Sequence, residues 1–225
     1  MKIVFVRHGH PNYHNDCLTE LGHLQAEAAA RRLEQEGIEE IYSSTRGRAL
    51  ETAQYTADKI GISTIVPCEF MREIKWGSRD GSEIYMKGHP WEMAKEMVRS
   101  GQSLMAEDWA DREPFRNNYV GDTSQACADG FDALLESLGY RREGEFYRVQ
   151  KNTEKTIAMF SHAGASSAVL GRMFNLPLPF LCGSMGPDFT SVTIVELSGE
   201  DGSLVTPKME LFNDARHIRG LSVDS

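Results

Sequence analysis

The chain has 225 residues, 40% hydrophobic and 25% charged, an ordinary globular composition with enough length for one large core. Its net charge of −9 argues against a nucleic-acid surface, which carries a basic excess, but leaves room for a locally basic pocket. Cys17, Cys68, Cys127 and Cys182 lie far apart without a C-x-x-C pair, which suits free thiols rather than a zinc knuckle or a disulfide framework, and no apolar run reaches the length of a membrane span.

Taken in order, the chain enters a strand at once, Ile3 to Val6, with no cationic leader before it. The expectation is a cytoplasmic protein in a reducing compartment, with no nucleic-acid or membrane partner. The strand stops at Arg7-His8-Gly9. In an open α/β sheet, ligands sit outside the carboxyl ends of the strands, so Arg7 and His8 are placed at the floor of a crevice. There a guanidinium grips a phosphate or carboxylate with two parallel hydrogen bonds, and a neutral imidazole serves as nucleophile, base or metal ligand. A lone histidine after a strand is more often structural, so this reading needs a second cation, a second imidazole and an acid.

After a polar loop, Thr19 is placed as the N-cap of a helix with an apolar stripe of Leu21, Leu24, Ala28 and Leu33, ended by Gly37. A second strand, Glu39 to Tyr42, closes on Ser43-Ser44-Thr45 and leads to a helix over Arg46 to Ile60, with Ala49, Ala53, Ala57 and Ile60 on one face. Arg48 falls in the first turn, where the helix dipole disfavours a cation. It is either a solvated arginine or the completion of an anion site at the helix N-terminus, and Arg46 competes for that role. A third strand over Ser63 to Pro67 precedes Met71-Arg72-Glu73-Ile74-Lys75-Trp76-Gly77. Glu73 has apolar neighbours that would raise its pKa and suit it to general acid chemistry; the alternative is a surface carboxylate paired with Arg72 or Lys75.

Residues 78 to about 120 are irregular and rich in Met and Trp, with one short helix expected over Trp91 to Val98. This segment is either a lid-like insertion over the crevice or a decoration packed on the sheet. A long helix follows, capped by Asp122-Thr123, with Phe131, Leu134, Leu135 and Leu138 on one face. Glu145 to Gln150 alternates as a strand. Thr156 to Phe160 is a buried strand running into Ser161-His162-Ala163-Gly164, with a helix from Ala165 to Phe174, closed by Pro177 and Pro179. Strand, histidine at the exit, small residues: the grammar of the N-terminus recurs. Two last strands, Phe189 to Leu197 and Leu204 to Phe212, form a possible hairpin, and His217 reads as a surface residue.

Four separated pieces now fit one pattern. Arg7-His8-Gly9, Ser43-Ser44 with Arg48-Ala49 and Thr52-Ala53, Arg72-Glu73 with Gly77, and Ser161-His162-Ala163-Gly164 occur in this order. Together with Leu18-Thr19-Glu20-Leu21-Gly22 they resemble the histidine phosphatase superfamily, the phosphoglycerate-mutase-like fold. Residues 78 to 120 lie outside the resemblance. It implies a three-layer α/β/α sandwich with a mostly parallel central sheet, here one domain over residues 1–225 with the insertion at about 78–120. It implies that His8 takes the phosphoryl group, that Arg7, Arg48, His162 and Ala163 bind the phosphate, and that Glu73 protonates the leaving oxygen and then activates water. The cations would lower the pKa of His8 and keep it neutral. In this reading His162 stands as an imidazolium, and no metal or cofactor is required.

The departures matter too. His10 and Pro11 follow the Arg-His-Gly triplet where the family often has an acid, Thr45 replaces a proline, and Arg79-Asp80-Gly81 replaces a Trp-Glu-Gly. The short loop to Thr19 lacks the longer Asn- and Trp-containing loop of the glycolytic mutases, which favours a phosphatase acting on a small phosphate ester. The competing readings are a phosphoglycerate-type mutase, a non-catalytic phosphate-binding relative, and a metal hydrolase built on His8, His10 and His14 with His162 or Asp188.

Overall fold

The structure is a computed structural model that describes residues 1–222. In chain order its elements are β1 (Lys2–Arg7), a short hairpin of β2 (Pro11–Asn12) and β3 (Cys17–Leu18), α1 (Glu20–Leu33), β4 (Glu40–Ser44), α2 (Gly47–Ile60), β5 (Ile65–Cys68), α3 (Pro90–Arg99), α4 (Val120–Ser137), β6 (Tyr140–Glu143), β7 (Phe146–Val149), β8 (Thr156–Ser161), α5 (Ala163–Phe174), α6 (Leu178–Ser184), β9 (Val192–Glu196), β10 (Leu204–Val205) and β11 (Lys208–Asp214).

The central sheet has six strands in the order β11-β9-β1-β8-β4-β5. Strands β1, β8, β4 and β5 pair in parallel, and β9 runs antiparallel between β1 and β11. Strands β1 and β8 are the central pair of this sheet, covered by helices on both faces, which is why both are apolar on both faces. Alternation sorts their side chains. Ile3, Phe5, Ile157 and Met159 point to the layer holding α3 to α6, whereas Val4, Val6, Ala158 and Phe160 point to the layer of α1 and α2. The result is the three-layer α/β/α sandwich with a mostly parallel sheet that the family resemblance implied.

This layering positions the site. The chain leaves β1 for α1 on one face and leaves β8 for α5 on the other, although β1 and β8 are hydrogen-bonded neighbours with Arg7 opposite Ser161. Connections that diverge from adjacent parallel strands open a crevice at their carboxyl ends.

Several local expectations are corrected. Helix α1 is capped by Thr19, whose hydroxyl accepts from the Gly22 N–H at 3.1 Å, but its buried face is Gly22, Gln25, Ala26, Ala28, Ala29, Ala30 and Leu33, with Leu24 exposed. Small residues rather than leucines face α2 because the two helices pack closely. Helix α4 begins at Val120, before the expected Asp-Thr cap; the Asn118 carboxamide oxygen accepts from Val120 N–H at 3.1 Å. The Pro177-Pro179 stretch, expected only to close α5, also opens α6, since proline is tolerated in a first helical turn. Strand β10 joins β7 and not β9, so β9 pairs with β11 across an excursion. In the 78–120 segment, Met93, Ala94 and Met97 of α3 are fully buried in the core shared with α6, and Val98 is exposed.

Candidate active site

The two histidines and Arg48 come from strand exits and a helix start. His8 follows β1, and its backbone N–H donates to Ser161 C=O at 2.9 Å, locking it beside the exit of β8. His162 follows β8 and precedes α5. The two rings meet edge to face, 5.0 Å between centroids, and both are buried. Ser44 ends β4, and Arg48 lies in the first turn of α2, which β4 feeds.

Arg48 is the hub. Its Nε donates to His8 Nε2 at 3.2 Å and its Nη2 to His162 Nδ1 at 3.0 Å, while its Nη1 is ion-paired with Asp16. A guanidinium only donates, so both contacted ring nitrogens are bare lone pairs. The opposite nitrogens therefore carry the protons: His8 Nδ1–H donates to Gly9 C=O at 2.7 Å, and His162 Nε2–H donates to Ser44 Oγ at 2.8 Å. The hydrogen-bond network fixes both tautomers. Burial, reinforced by Arg48 and Arg7, lowers His8 to about 3. Burial first, then the neighbouring charges of His8 and Arg48, pushes His162 well below its ordinary value. The expected imidazolium at His162 is thus corrected to a neutral imidazole, because a buried ring facing a guanidinium cannot hold a second cation.

Arg7 occupies the other side of His8. Its Nη1 donates to Pro187 C=O at 2.7 Å, and its guanidinium stacks 3.9 Å from the centre of the Phe189 ring. Its Nε is buried without a partner, an open donor beside the site. Glu73 approaches from a different direction. Its Oε1 accepts from the N–H groups of Ile74 and Ala165, each at 3.1 Å. Burial raises its pKa, against the pull of those two donors and of Arg7 and Arg48. Ser161 Oγ donates to Met71 C=O at 2.9 Å and so ties the Glu73 segment to the end of β8. Gly164 leaves the room: a Cβ there would lie 2.5 Å from Ile74 Cγ1 and 2.6 Å from Glu73 Oε1. Ala163, buried, opens α5 directly after His162.

Of the residues singled out in the sequence, Arg7, His8, Arg48, Glu73, His162 and Ala163 therefore converge. His10 turns away to Thr19 Oγ1 at 2.9 Å, His14 is exposed, and His217 lies within 3.2 Å of Thr190 Oγ1. Asp16 is the residue that the sequence did not reveal. It pairs with Arg48, accepts from the Gly47 N–H at 3.1 Å, and lies 3.9 Å from Arg46. It adopts a positive φ of 52°, which aspartate tolerates better than most residues, and its carbonyl presses on Gly47 where a Cβ would lie 2.1 Å away. The signal was present as Asp16 in a polar loop and Gly47 at a helix start, but nothing local links them.

Above this floor lies a cavity of about 460 Å³ lined by Tyr13, Asp16, Arg46, Arg48, Glu73, Ile74, Lys75, Trp76 and Tyr119. A larger hollow near Phe212 and Arg216 does not include His8, Arg48 or Glu73. The smaller cavity has Arg48 and Glu73 in its wall.

Residues 3–209 match the histidine phosphatase superfamily (branch 1). The chain belongs to that superfamily. A Hydrogenobacter thermophilus protein named "Putative phosphoserine phosphatase 2" is 31% identical over 213 residues, covering 91% of this chain and 93% of the relative. Among solved structures, a variant phosphoserine phosphatase from Entamoeba histolytica in complex with phosphoserine aligns over 96% of this chain and 98% of its own, at 21% identity and a TM-score of 0.63. A mycobacterial glucosyl-3-phosphoglycerate phosphatase aligns over 94% and 98%, at 18% identity and a TM-score of 0.62. At these identities the two structures establish the shared fold. No helix among the described residues is long and apolar enough to cross a membrane.

Proposed function

We propose that this protein is a metal-independent phosphomonoesterase that hydrolyses a small phosphate ester through a phosphohistidine on His8. One observation carries the reading: the lone pair of His8 Nε2 faces Arg48 while its Nδ1 proton is held by Gly9 C=O. The nucleophile is thus neutral, in the right tautomer and flanked by cations.

In the first displacement Nε2 forms a bond to phosphorus as the ester P–O bond breaks, and Glu73 gives its proton to the leaving oxygen. Arg48 gives up Nε2 and turns to the phosphate oxygens, with Arg7 and the α5 N-terminus at Ala163 completing the cradle. Phosphoryl transfer asks mainly for such alignment and for charge on the equatorial oxygens. In the second displacement Glu73, now a carboxylate, takes a proton from water, which attacks phosphorus and releases His8. The raised pKa of Glu73 suits both duties. The phosphatase names of the relatives support a phosphate monoester as substrate.

Residues 78–120 are proposed as an insertion within one domain, since α3 shares the main core and Tyr119, at the insertion's end, lines the cavity. A reducing, cytoplasmic location is supported by four unpaired cysteines.

The test is His8→Ala with an aryl phosphate. Turnover is expected to vanish, together with the acid-labile phosphoryl label that the native enzyme acquires when quenched, while activity of the native enzyme survives a chelator. Robust turnover by His8→Ala overturns the reading, and loss of activity on chelation overturns its metal independence.

A further inference from the structure

Among the described residues five Phe, Tyr and Trp side chains are exposed, and three of them, Tyr13, Trp76 and Tyr119, line the one cavity above Arg48 and Glu73. They arrive from three separate segments: the loop after β1, the turn after Glu73, and the residue before α4. Such convergence exposes apolar rings where an unliganded surface would gain from covering them.

The rings are also held in place. Tyr13 lies over the Arg48 guanidinium, 5.4 Å from ring centre to Cζ. Trp76 meets His89 edge to face at 5.1 Å, and His89 in turn packs against Trp91 at 5.4 Å. Tyr119 N–H donates to Gly77 C=O at 3.0 Å, and the buried Asn118 carboxamide accepts from Gly77 and Val120 and donates to Gly88 C=O at 2.7 Å. One asparagine therefore clamps the backbone on which both Trp76 and Tyr119 stand. Aromatic side chains have few torsions to freeze, so rings on a clamped backbone bind at small entropic cost.

Two cations share the wall. Arg46 and Lys75 are partly or fully exposed at the same cavity, and Thr123 Oγ1 fixes the Lys75 backbone by donating to its carbonyl at 3.0 Å. The Asp16 carboxylate, on the opposite account, is already taken by Arg48, with Arg46 near it.

We infer that the leaving group of the substrate carries a flat ring face and a second anionic group: Tyr13, Trp76 and Tyr119 take the ring, and Lys75 with Arg46 takes the anion. This inference rests on the phosphatase reading and names the class of ester it acts on. A cavity of about 460 Å³ is in the range that encloses a leaving group of that size.

The experiment measures kcat and KM for phenyl phosphate, 4-carboxyphenyl phosphate, O-phosphoserine and glycerol 2-phosphate. Aryl leaving groups react faster for intrinsic reasons, so the readout is the change in ratio between native and variant enzyme. In Trp76→Ala/Tyr119→Ala the kcat/KM of the two phenyl esters is expected to fall roughly tenfold relative to that of glycerol 2-phosphate, through KM. Trp76→Phe is expected to restore most of that ratio. Lys75→Gln is expected to lower 4-carboxyphenyl phosphate about threefold or more relative to phenyl phosphate. Tyr13→Ala, altering an exposed ring on a loop, gives a reading in the same direction if the double variant does not fold. Unchanged ratios in these variants, with turnover intact, overturn the inference and leave the phosphatase reading standing; absence of turnover by the native enzyme on every ester sinks the phosphatase reading instead.

Discussion

At the scale of single residues, protonation states organise the site. Glu73 is the proposed proton donor, and its burial raises its pKa. The sign follows: the acid form is needed in the first step, so kcat/KM falls as pH rises through the raised Glu73 value. Burial lowers His8 to about 3, so its own titration does not limit the rate in the neutral range. We expect Glu73→Gln to remove the alkaline limb of the pH–rate profile and to slow poor leaving groups by about a hundredfold or more, with good leaving groups slowed less. Profiles of kcat/KM, which report the first displacement alone, for an aryl and an alkyl phosphate check this, and an equal loss for both would assign Glu73 a positional role in that step. Asp16 makes a second prediction. It places a negative charge on Arg48 beside the proposed phosphate pocket. Asp16→Asn keeps the shape and, with its one oxygen on the Gly47 N–H, removes both the charge and the acceptor for Arg48 Nη1. Inhibition by inorganic phosphate is expected to tighten by roughly three- to tenfold, the scale of one partly screened charge. Weaker inhibition would mean that Asp16 serves chiefly to hold Arg48 in line.

At the scale of elements, the site depends on how closely α5 approaches the segment carrying Glu73. Gly164 permits that approach, and Ser161 and Ala165 hold it with hydrogen bonds. Gly164→Ala forces Ile74 and Glu73 aside, an overpacking that costs about 1–3 kcal/mol. We expect a lower Tm and a loss of kcat of about tenfold or more on alkyl phosphates, read by calorimetry and steady-state kinetics. Native kcat in that variant would show that the Glu73 carboxylate tolerates displacement. Secondary structure was largely legible in this region. Strands β1, β4 and β8 and helices α2 and α5 follow their apolar periods. Helix α6 was not, because a proline-rich opening reads equally as a loop and as a helical first turn. The buried face of α1 was misplaced because alanines that enable close packing carry a weaker periodic signal than leucines.

At the scale of the whole molecule, two neutral histidines sit at the centre of the fold, and stability inherits their titration. Both have folded values below the unfolded value of 6.5. A depressed folded pKa means that the unfolded chain binds the proton first. Their contribution is therefore present above pH 6.5 and is lost as pH falls from there towards about 3 for His8. His89 and His217, also lowered by burial, add in the same direction. The slope per histidine reaches about 1.4 kcal/mol per pH unit at most. Denaturant unfolding of the native protein between pH 7 and 5 is expected to show falling stability, with a shallower slope in His8→Ala. Parallel slopes for the two proteins would mean that His8 is not held neutral.

The residues proposed to carry the chemistry were present in the sequence alone: a histidine and an arginine at one strand exit, a histidine at another, an arginine in a helix's first turn, and an acid among apolar neighbours. Hydrophobic period and strand-end chemistry are local properties, so they can be read without coordinates. That β1 and β8 are neighbours is a long-range pairing, decided by the packing of two helical layers against one sheet. Only that pairing brings the rings of His8 and His162 together. Only the contact of Arg48 with both rings decides where their protons reside, and only the folded loop after β1 delivers Asp16 to Arg48. Those are pairwise interactions across the molecule, and no local pattern encodes them.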